Sequence, residues 1–261
     1  MELGISSSSL YPLETEKALE FLCQNAIPVT EIFFNSVDET GVPFVKQLAA
    51  LSKTYGTKIN SVHPCGSVGE PYFLFSGYER RYKETFEFYK RYYEAAQILG
   101  AKVVVLHGDS EKCHITDEEY AERLLKMSEA AAEFGVMISH ENVCRYRLAV
   151  PQNIETLRKL TNDKIKFTYD VKQCIRAMGK TEPIYDAMKG NIVNVHISDH
   201  NGKFDCMLPG KGDYDFASLF KKLEADNYDG PCLIEVYSNA YKKYDELIEA
   251  YNFVNNIHKI Y

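Results

Sequence analysis

The chain has 261 residues, 45% of them hydrophobic, which suffices for one sizeable core and lies near the upper limit for a single domain. Its 30 Lys+Arg against 37 Asp+Glu leave a net charge of −7, and no basic run is visible, which argues against nucleic acid as a partner. The N-terminal MELGISSSSLYPL has no basic segment ahead of a long apolar core, and no run of about 18 apolar residues occurs anywhere, so a soluble cytoplasmic protein without a membrane partner is expected. Seven cysteines, Cys23, Cys65, Cys113, Cys144, Cys174, Cys206 and Cys232, are scattered without a C-x-x-C pair and read as reduced thiols.

Short β-branched runs alternate with longer segments of helical periodicity eight times along the chain. The predicted strands are Glu2 to Ser6, Val29 to Phe34, Lys58 to His63, Lys102 to His107, Val136 to Glu141, Ile165 to Asp170, Ile192 to Ile197 and Cys232 to Tyr237. They are short and apolar, as buried parallel strands are. The Ser6 to Ser9 run reads as a loop. Tyr82, Phe86, Tyr89, Tyr93 and Ala96 form one buried helical stripe. Tyr120, Leu124, Met127, Ala131 and Phe134 form another, entered through a capping box of Thr116 and Glu119. Tyr244, Leu247, Ile248, Tyr251, Val254 and Ile257 predict a final amphipathic helix. Between Asp170 and Ile192 there is room for only a short helix, Pro183 to Met188, so that unit is expected to be irregular. With no linker or composition shift, residues 1–261 read as a single α/β domain, a (β/α)8 or TIM barrel, for which about 250 residues is the usual length.

Function on such a barrel is built at the carboxyl ends of the strands. There, the last four strands each offer one polar group: Glu141 in VMISHEN, Asp170 in KFTYDVKQ, His196 in IVNVHISD and Glu235 in CLIEVYS. Separations of 29, 26 and 39 residues are close to one βα unit each, which brings the four side chains to one quadrant. Converging carboxylates repel one another and take up protons unless a cation neutralises them. One divalent metal ion is the simplest resolution. Three oxygen donors and one nitrogen suit Mn2+, Mg2+ or Co2+ better than a structural zinc, with Zn2+ still open. Taken singly, each of the four also suits the plain alternative of a strand-end acid or histidine that caps a helix or pairs with an arginine.

The ordered set Glu, Asp, His, Glu resembles the xylose isomerase-like superfamily of barrels, which includes sugar phosphate isomerases and epimerases, ketose 3-epimerases and endonuclease IV. VHP at Val62 to Pro64, LHGD at Leu106 to Asp109, HEN at His140 to Asn142, HISD at His196 to Asp199 and LPGKGDYDF at Leu208 to Phe216 extend the resemblance over essentially the whole chain. It implies a metal-dependent isomerase or epimerase (EC 5.1.3 or 5.3.1 type) of a small keto sugar or polyol derivative, placed in carbohydrate metabolism. In that reading Glu141 and Glu235 both bind the ion and move the substrate proton, and the metal stabilises an enediolate. In ketose 3-epimerases a histidine three residues after the metal aspartate helps hold the substrate. This chain has Gln173 there, which can hydrogen-bond a hydroxyl but carries no charge.

His63 and His107 are expected to contact substrate, against the alternative of core histidines bonded to backbone carbonyls. Glu31 is expected to point inward and bond a substrate hydroxyl. His140 should face the helices; His114 and His258 look like ordinary loop and helix residues. Asp199 is expected to orient a ligand from behind, and Arg145 and Arg147 fit either contacts for a substrate phosphate or carboxylate or, more commonly for surface arginines, neither. The segment Gly69 to Gly77, with Tyr72, Phe73, Leu74 and Phe75, fits either an apolar lid or a contact with a second subunit in a homo-oligomer. Three rival readings stand beside the epimerase: an endonuclease IV-like phosphodiesterase, a dehydratase or lyase on an inosose-type substrate, and a sugar-binding barrel without turnover. The first is disfavoured by Gln173, and by Phe204 and Cys206 where the trinuclear pattern needs Asp-x-His.

Overall fold

A computed structural model describes residues 1–110 and 115–260; Cys113 and His114 lie outside the described residues. Eight parallel strands close into a barrel in sequence order, with β1 (Glu2–Ser6) hydrogen-bonded to both β2 (Val29–Phe33) and β8 (Pro231–Ile234). Between them run β3 (Lys58–His63), β4 (Val103–Leu106), β5 (Met137–Glu141), β6 (Lys166–Asp170) and β7 (Ile192–Ile197). The eighth strand ends earlier than expected. Glu235 nevertheless keeps the ladder geometry, its N–H donating to Ile197 O at 3.0 Å.

Helices α1 (Thr15–Gln24), α2 (Val42–Tyr55), α3 (Glu70–Phe73), α4 (Glu79–Leu99), α5 (Asp117–Ala132) and α6 (Pro151–Leu160) wrap the first half and the β5–β6 connection. The sixth connection holds two short helices, α7 (Val171–Met178) and α8 (Glu182–Met188), rather than the single one expected. The added helix starts immediately after β6 because Asp170 caps it, its Oδ1 accepting from Gln173 N at 2.9 Å. Helices α9 (Phe216–Ala225) and α10 (Asp245–His258) complete the ring. At the start of α5 only half of the expected capping box forms. Thr116 Oγ1 accepts from Glu119 N, but the Glu119 carboxylate turns to Arg123 Nη2 at 2.5 Å.

The apolar core lies between the strands and the helices. Tyr82, Tyr89, Tyr93 and Ala96 of α4 are buried in it, as are Tyr120, Leu124, Met127 and Ala131 of α5. Inside the barrel, the layer just below the carboxyl mouth is polar: Ser6, Glu31, Ser61, Ser139, Thr168 and Asn194 are all fully buried there. Strand alternation aims these residues inward while their neighbours Ile5, Ile32, Val62, Phe167 and Val195 pack outward. The pairing register shifts at Thr30/Glu31 and at Phe167/Thr168, irregularities that re-aim side chains next to the mouth. Among the described residues no helix is long and apolar enough to cross a membrane, and the six described cysteines are free thiols.

The Ser6 to Ser9 segment is not a plain loop. Ser7 to Leu10 form a 3-10 turn whose hydroxyls tie three strand ends together. Ser7 Oγ accepts from Phe33 N, while Ser9 Oγ donates to Ile234 O and accepts from Val236 N.

Candidate metal centre

One ligand atom each from Glu141, Asp170, His196 and Glu235 lies within 4.8 Å of all the others. Glu141 and Asp170 close β5 and β6, His196 is the last but one residue of β7 and Glu235 follows β8, so four consecutive strand ends deliver them to one point at the barrel mouth. His196 Nδ1 is 3.4 Å from Glu235 Oε2, 3.9 Å from Glu141 Oε1 and 3.9 Å from Asp170 Oδ2. His196 Nδ1 is buried without a hydrogen-bond partner, and Asp170 Oδ2 has none beyond its ion pair with Lys172 Nζ at 2.9 Å. A partnerless buried imidazole nitrogen facing three converging carboxylates fits a divalent cation. Asp170 therefore combines two placements that looked like alternatives, one oxygen capping α7 and the other turned into the cluster.

The polar layer beneath holds these groups in place. Glu31 Oε2 lies 3.2 Å from His196 Nε2 and accepts from Ser61 Oγ at 2.7 Å, while Oε1 accepts from Ser6 Oγ at 3.1 Å. Glu31 thus points inward as expected, but it is wholly buried and reaches the imidazole rather than the cavity. Fixing Nε2 in this way turns Nδ1 toward the three carboxylates. Burial alone would lower the His196 pKa; Glu31 and Glu235 outweigh it and raise it well above the ordinary histidine value, so an incoming cation competes with a proton there.

Glu141 is flanked on its other side by His107 Nε2 at 3.1 Å and His63 Nε2 at 3.7 Å from Oε2, and the two imidazole Nε2 atoms are 3.0 Å apart. These three residues form a second group with metal-ligating geometry that shares Glu141 with the first. Burial would raise the Glu141 carboxyl, but His107, His196 and His63 hold it well below the usual range. Asp170 goes the other way. Burial, with Glu141 and Glu235 adding to it against Lys172, pushes it up to about 7.

Sequence reasoning missed Lys172. Its ammonium is buried at the site, donating to Glu235 Oε2 at 2.7 Å and lying 2.9 Å from Asp170 Oδ2. A basic residue two positions after the candidate aspartate was the available signal. Ser8 was missed too, because the serine run looked like a loop; its hydroxyl donates to Glu235 Oε1 at 3.2 Å.

A cavity of about 380 Å³ opens above this cluster, with Glu141, Glu235, His63, His107, Lys172 and Gln173 among its lining and Tyr11, Phe33 and Tyr237 supplying aromatic walls. Gln173 Oε1 accepts from Cys144 N at 3.0 Å, which fixes its amide at the cavity wall. A second cavity, of about 310 Å³, lies around Lys180, His200 and Lys222 and contains none of the four clustered groups.

Several outlying expectations change. Arg147 is engaged by buried Asp109, at 2.6 Å, and by Asp117, so it is not presented to a substrate anion; Arg145 is exposed. Asp199 accepts from the backbone N–H groups of His200, Gly210, Gly212 and Tyr214, and so organises the Leu208 to Tyr214 loop rather than His196. Gly212 is required there, since a Cβ would stand 2.3 Å from His200 O. Leu74 and Phe75 are fully buried while Tyr72 and Phe73 are exposed, so the 69–77 segment is anchored and not a continuous apolar patch. His140 faces outward as expected: Nδ1 lies 3.1 Å from Glu141 O and must donate to it, which leaves Nε2 to accept from the Tyr120 hydroxyl.

The profile of the xylose isomerase-like TIM barrels matches residues 17–254, and the chain belongs to that family. Among solved structures it is similar to a D-tagatose 3-epimerase-like protein, with TM-score 0.80, 23% identity and coverage of 100% of this chain and 98% of that one. It is also similar to a 3-keto-D-glucoside 4-epimerase from E. coli, with TM-score 0.79, 17% identity and coverage of 98% and 99%. The inosose dehydratase of Lacticaseibacillus casei is 22% identical over 59% of this chain and 63% of its own length.

Proposed function

We propose that the protein is a divalent-metal-dependent isomerase or epimerase of a small keto sugar or polyol, working by proton transfer next to a carbonyl. The observation that carries this reading is the convergence of the Glu141, Asp170 and Glu235 carboxylates on the partnerless His196 Nδ1 beneath the cavity. Glu141, Asp170, His196 and Glu235 would hold the ion, with Mn2+, Mg2+ or Co2+ favoured by the oxygen-rich donor set. A bound divalent ion supplies Lewis-acid stabilisation of the negative charge that builds on substrate oxygen during deprotonation.

The remaining work falls to the chain. Glu141, which ends β5, and Glu235, which follows β8, both line the cavity, and in this reading one takes a proton from a substrate carbon and the other returns it to the opposite face. His107 and His63 brace Glu141, and Ser8 braces Glu235. Gln173 offers an amide to a substrate hydroxyl. A 380 Å³ cavity is at the small end for ligand sites and suits a single sugar-sized molecule. Similarity to a D-tagatose 3-epimerase-like protein and to a 3-keto-D-glucoside 4-epimerase supports the same reading.

The inosose dehydratase relative favours a second fate for the same chemistry, in which deprotonation is followed by loss of water. Incubation in deuterated water with a panel of ketoses and inososes, with each of the four ions added in turn, tests both. Deuterium next to a carbonyl in recovered or epimerised sugar supports the isomerase reading, and loss of water from the substrate supports the dehydratase. No exchange with any ion, together with cleavage of abasic DNA, would move the function to phosphodiester hydrolysis through the His63, His107 and Glu141 group.

A further inference from the structure

We propose that Lys172 is an internal rival of the divalent ion, supplying the positive charge that holds the carboxylates together when the ion is absent and being displaced when it binds. This rests on the metal reading above and adds a residue to it.

The oxygens that Lys172 takes are Asp170 Oδ2 and Glu235 Oε2, at 2.9 and 2.7 Å. They are the same two oxygens that face His196 Nδ1. An ion held by these oxygens would stand close to the ammonium, where like charges in a buried site repel strongly. The ammonium and the ion therefore compete for one pair of lone-pair donors.

Among the described residues, the other basic group facing these two oxygens is His196, which the metal reading uses as a ligand; the remaining nearby cations are committed elsewhere. Arg176, one turn further along α7, is committed to Asp205 Oδ2 at 2.7 Å and to the Tyr237 hydroxyl at 2.7 Å. His63 and His107 serve Glu141, not Asp170 or Glu235. Lys172 itself is 3% exposed, so it is not a surface lysine that happens to lean on an acid. Its Nζ already stands 5.2 Å from the centre of the Tyr237 ring, on the cavity wall and shared with Arg176 at 5.0 Å, so a short shift away from the carboxylates keeps the ammonium within reach of an aromatic face.

Lys172→Met and Lys172→Gln, each freed of metal, test this by equilibrium metal titration with Mn2+ and by thermal unfolding with and without the ion. Both variants are expected to bind Mn2+ at least tenfold more tightly than the wild type and to gain more in melting temperature from it. A variant that unfolds without the ion but folds when it is added also supports the rival role. Equal or weaker binding in both variants overturns the proposal while leaving the metal site standing. A variant that stays unfolded with or without Mn2+ overturns it as well, since the ion then cannot replace the ammonium. Absence of Mn2+ binding in the wild type and in both folded variants would instead remove the metal reading itself.

Discussion

Glu31 and His196 meet across the barrel interior, Oε2 to Nε2 at 3.2 Å, with both side chains wholly buried beneath the cavity. This contact decides which imidazole nitrogen faces the carboxylates. Glu31→Gln is expected to weaken divalent-ion affinity by about 10- to 100-fold, the usual effect of losing the partner behind a ligand, without a large change in fold. Isothermal titration with Mn2+ measures it; unchanged affinity would show that His196 needs no such support.

The two glutamates at the mouth carry the proposed proton transfers. Glu141→Gln and Glu235→Gln should each lower turnover by at least about 10²-fold while leaving circular dichroism unchanged. Wild-type activity in either variant, read by solvent deuterium incorporation, would sink the two-carboxylate mechanism.

About one ion per chain is expected on elemental analysis of protein dialysed against Mn2+. Chelation should abolish activity and lower the melting temperature, because an ion that binds only the folded state at a hundredfold excess over its Kd stabilises by about 2.7 kcal/mol. Identical melting curves with and without chelator would contradict this.

Arg147 and Asp109 form an ion pair in which the carboxylate is 1% exposed. Arg147→Met should cost about 3 kcal/mol by stranding that carboxylate, and adding Asp109→Asn in the same chain should recover part of the loss. Denaturant unfolding of the double-mutant cycle provides the check, and additive losses would deny the coupling.

His140 predicts an acid sensitivity. Burial lowers its pKa from 6.5 to about 3, so between these values the unfolded chain binds a proton that the folded chain refuses. Stability then falls as pH falls through this window, by about 1.4 kcal/mol per pH unit. In His140→Gln this component of the slope should disappear between about pH 6 and pH 4.5. Parallel pH profiles for wild type and variant would assign the acid sensitivity elsewhere.

Much of this architecture is legible in the sequence because parallel strands are written as continuous apolar runs, and a polar residue that ends such a run stands out. That is how Glu141, Asp170, His196 and Glu235 can be found without coordinates. The sixth connection was misjudged for a related reason: helix capping by Asp170 stood only as the alternative to ion binding, so no helix was expected directly after it. Glu31 shows a different limit. Alternation places it inside the barrel, yet the depth at which a side chain stops depends on strand stagger, which is set by long-range register. Lys172 and Ser8 were obscured by local context, one by a helix not expected and the other by a serine run that resembles a loop. Asp199 was assigned by proximity to His196 in sequence, whereas its bonds run to a loop more than ten residues later.

Asp170 joins ion chemistry to mechanics. With one oxygen holding the first turn of α7 and the other in the cluster, any change at a bound ion would be felt by the helix that carries Lys172 and Gln173 to the cavity wall. Under the proposed function, substrate preference and ion affinity would thus not be separate dials. Variants selected on α7 for a new sugar are expected to arrive with altered metal requirements, and variants selected for a new metal with altered sugars.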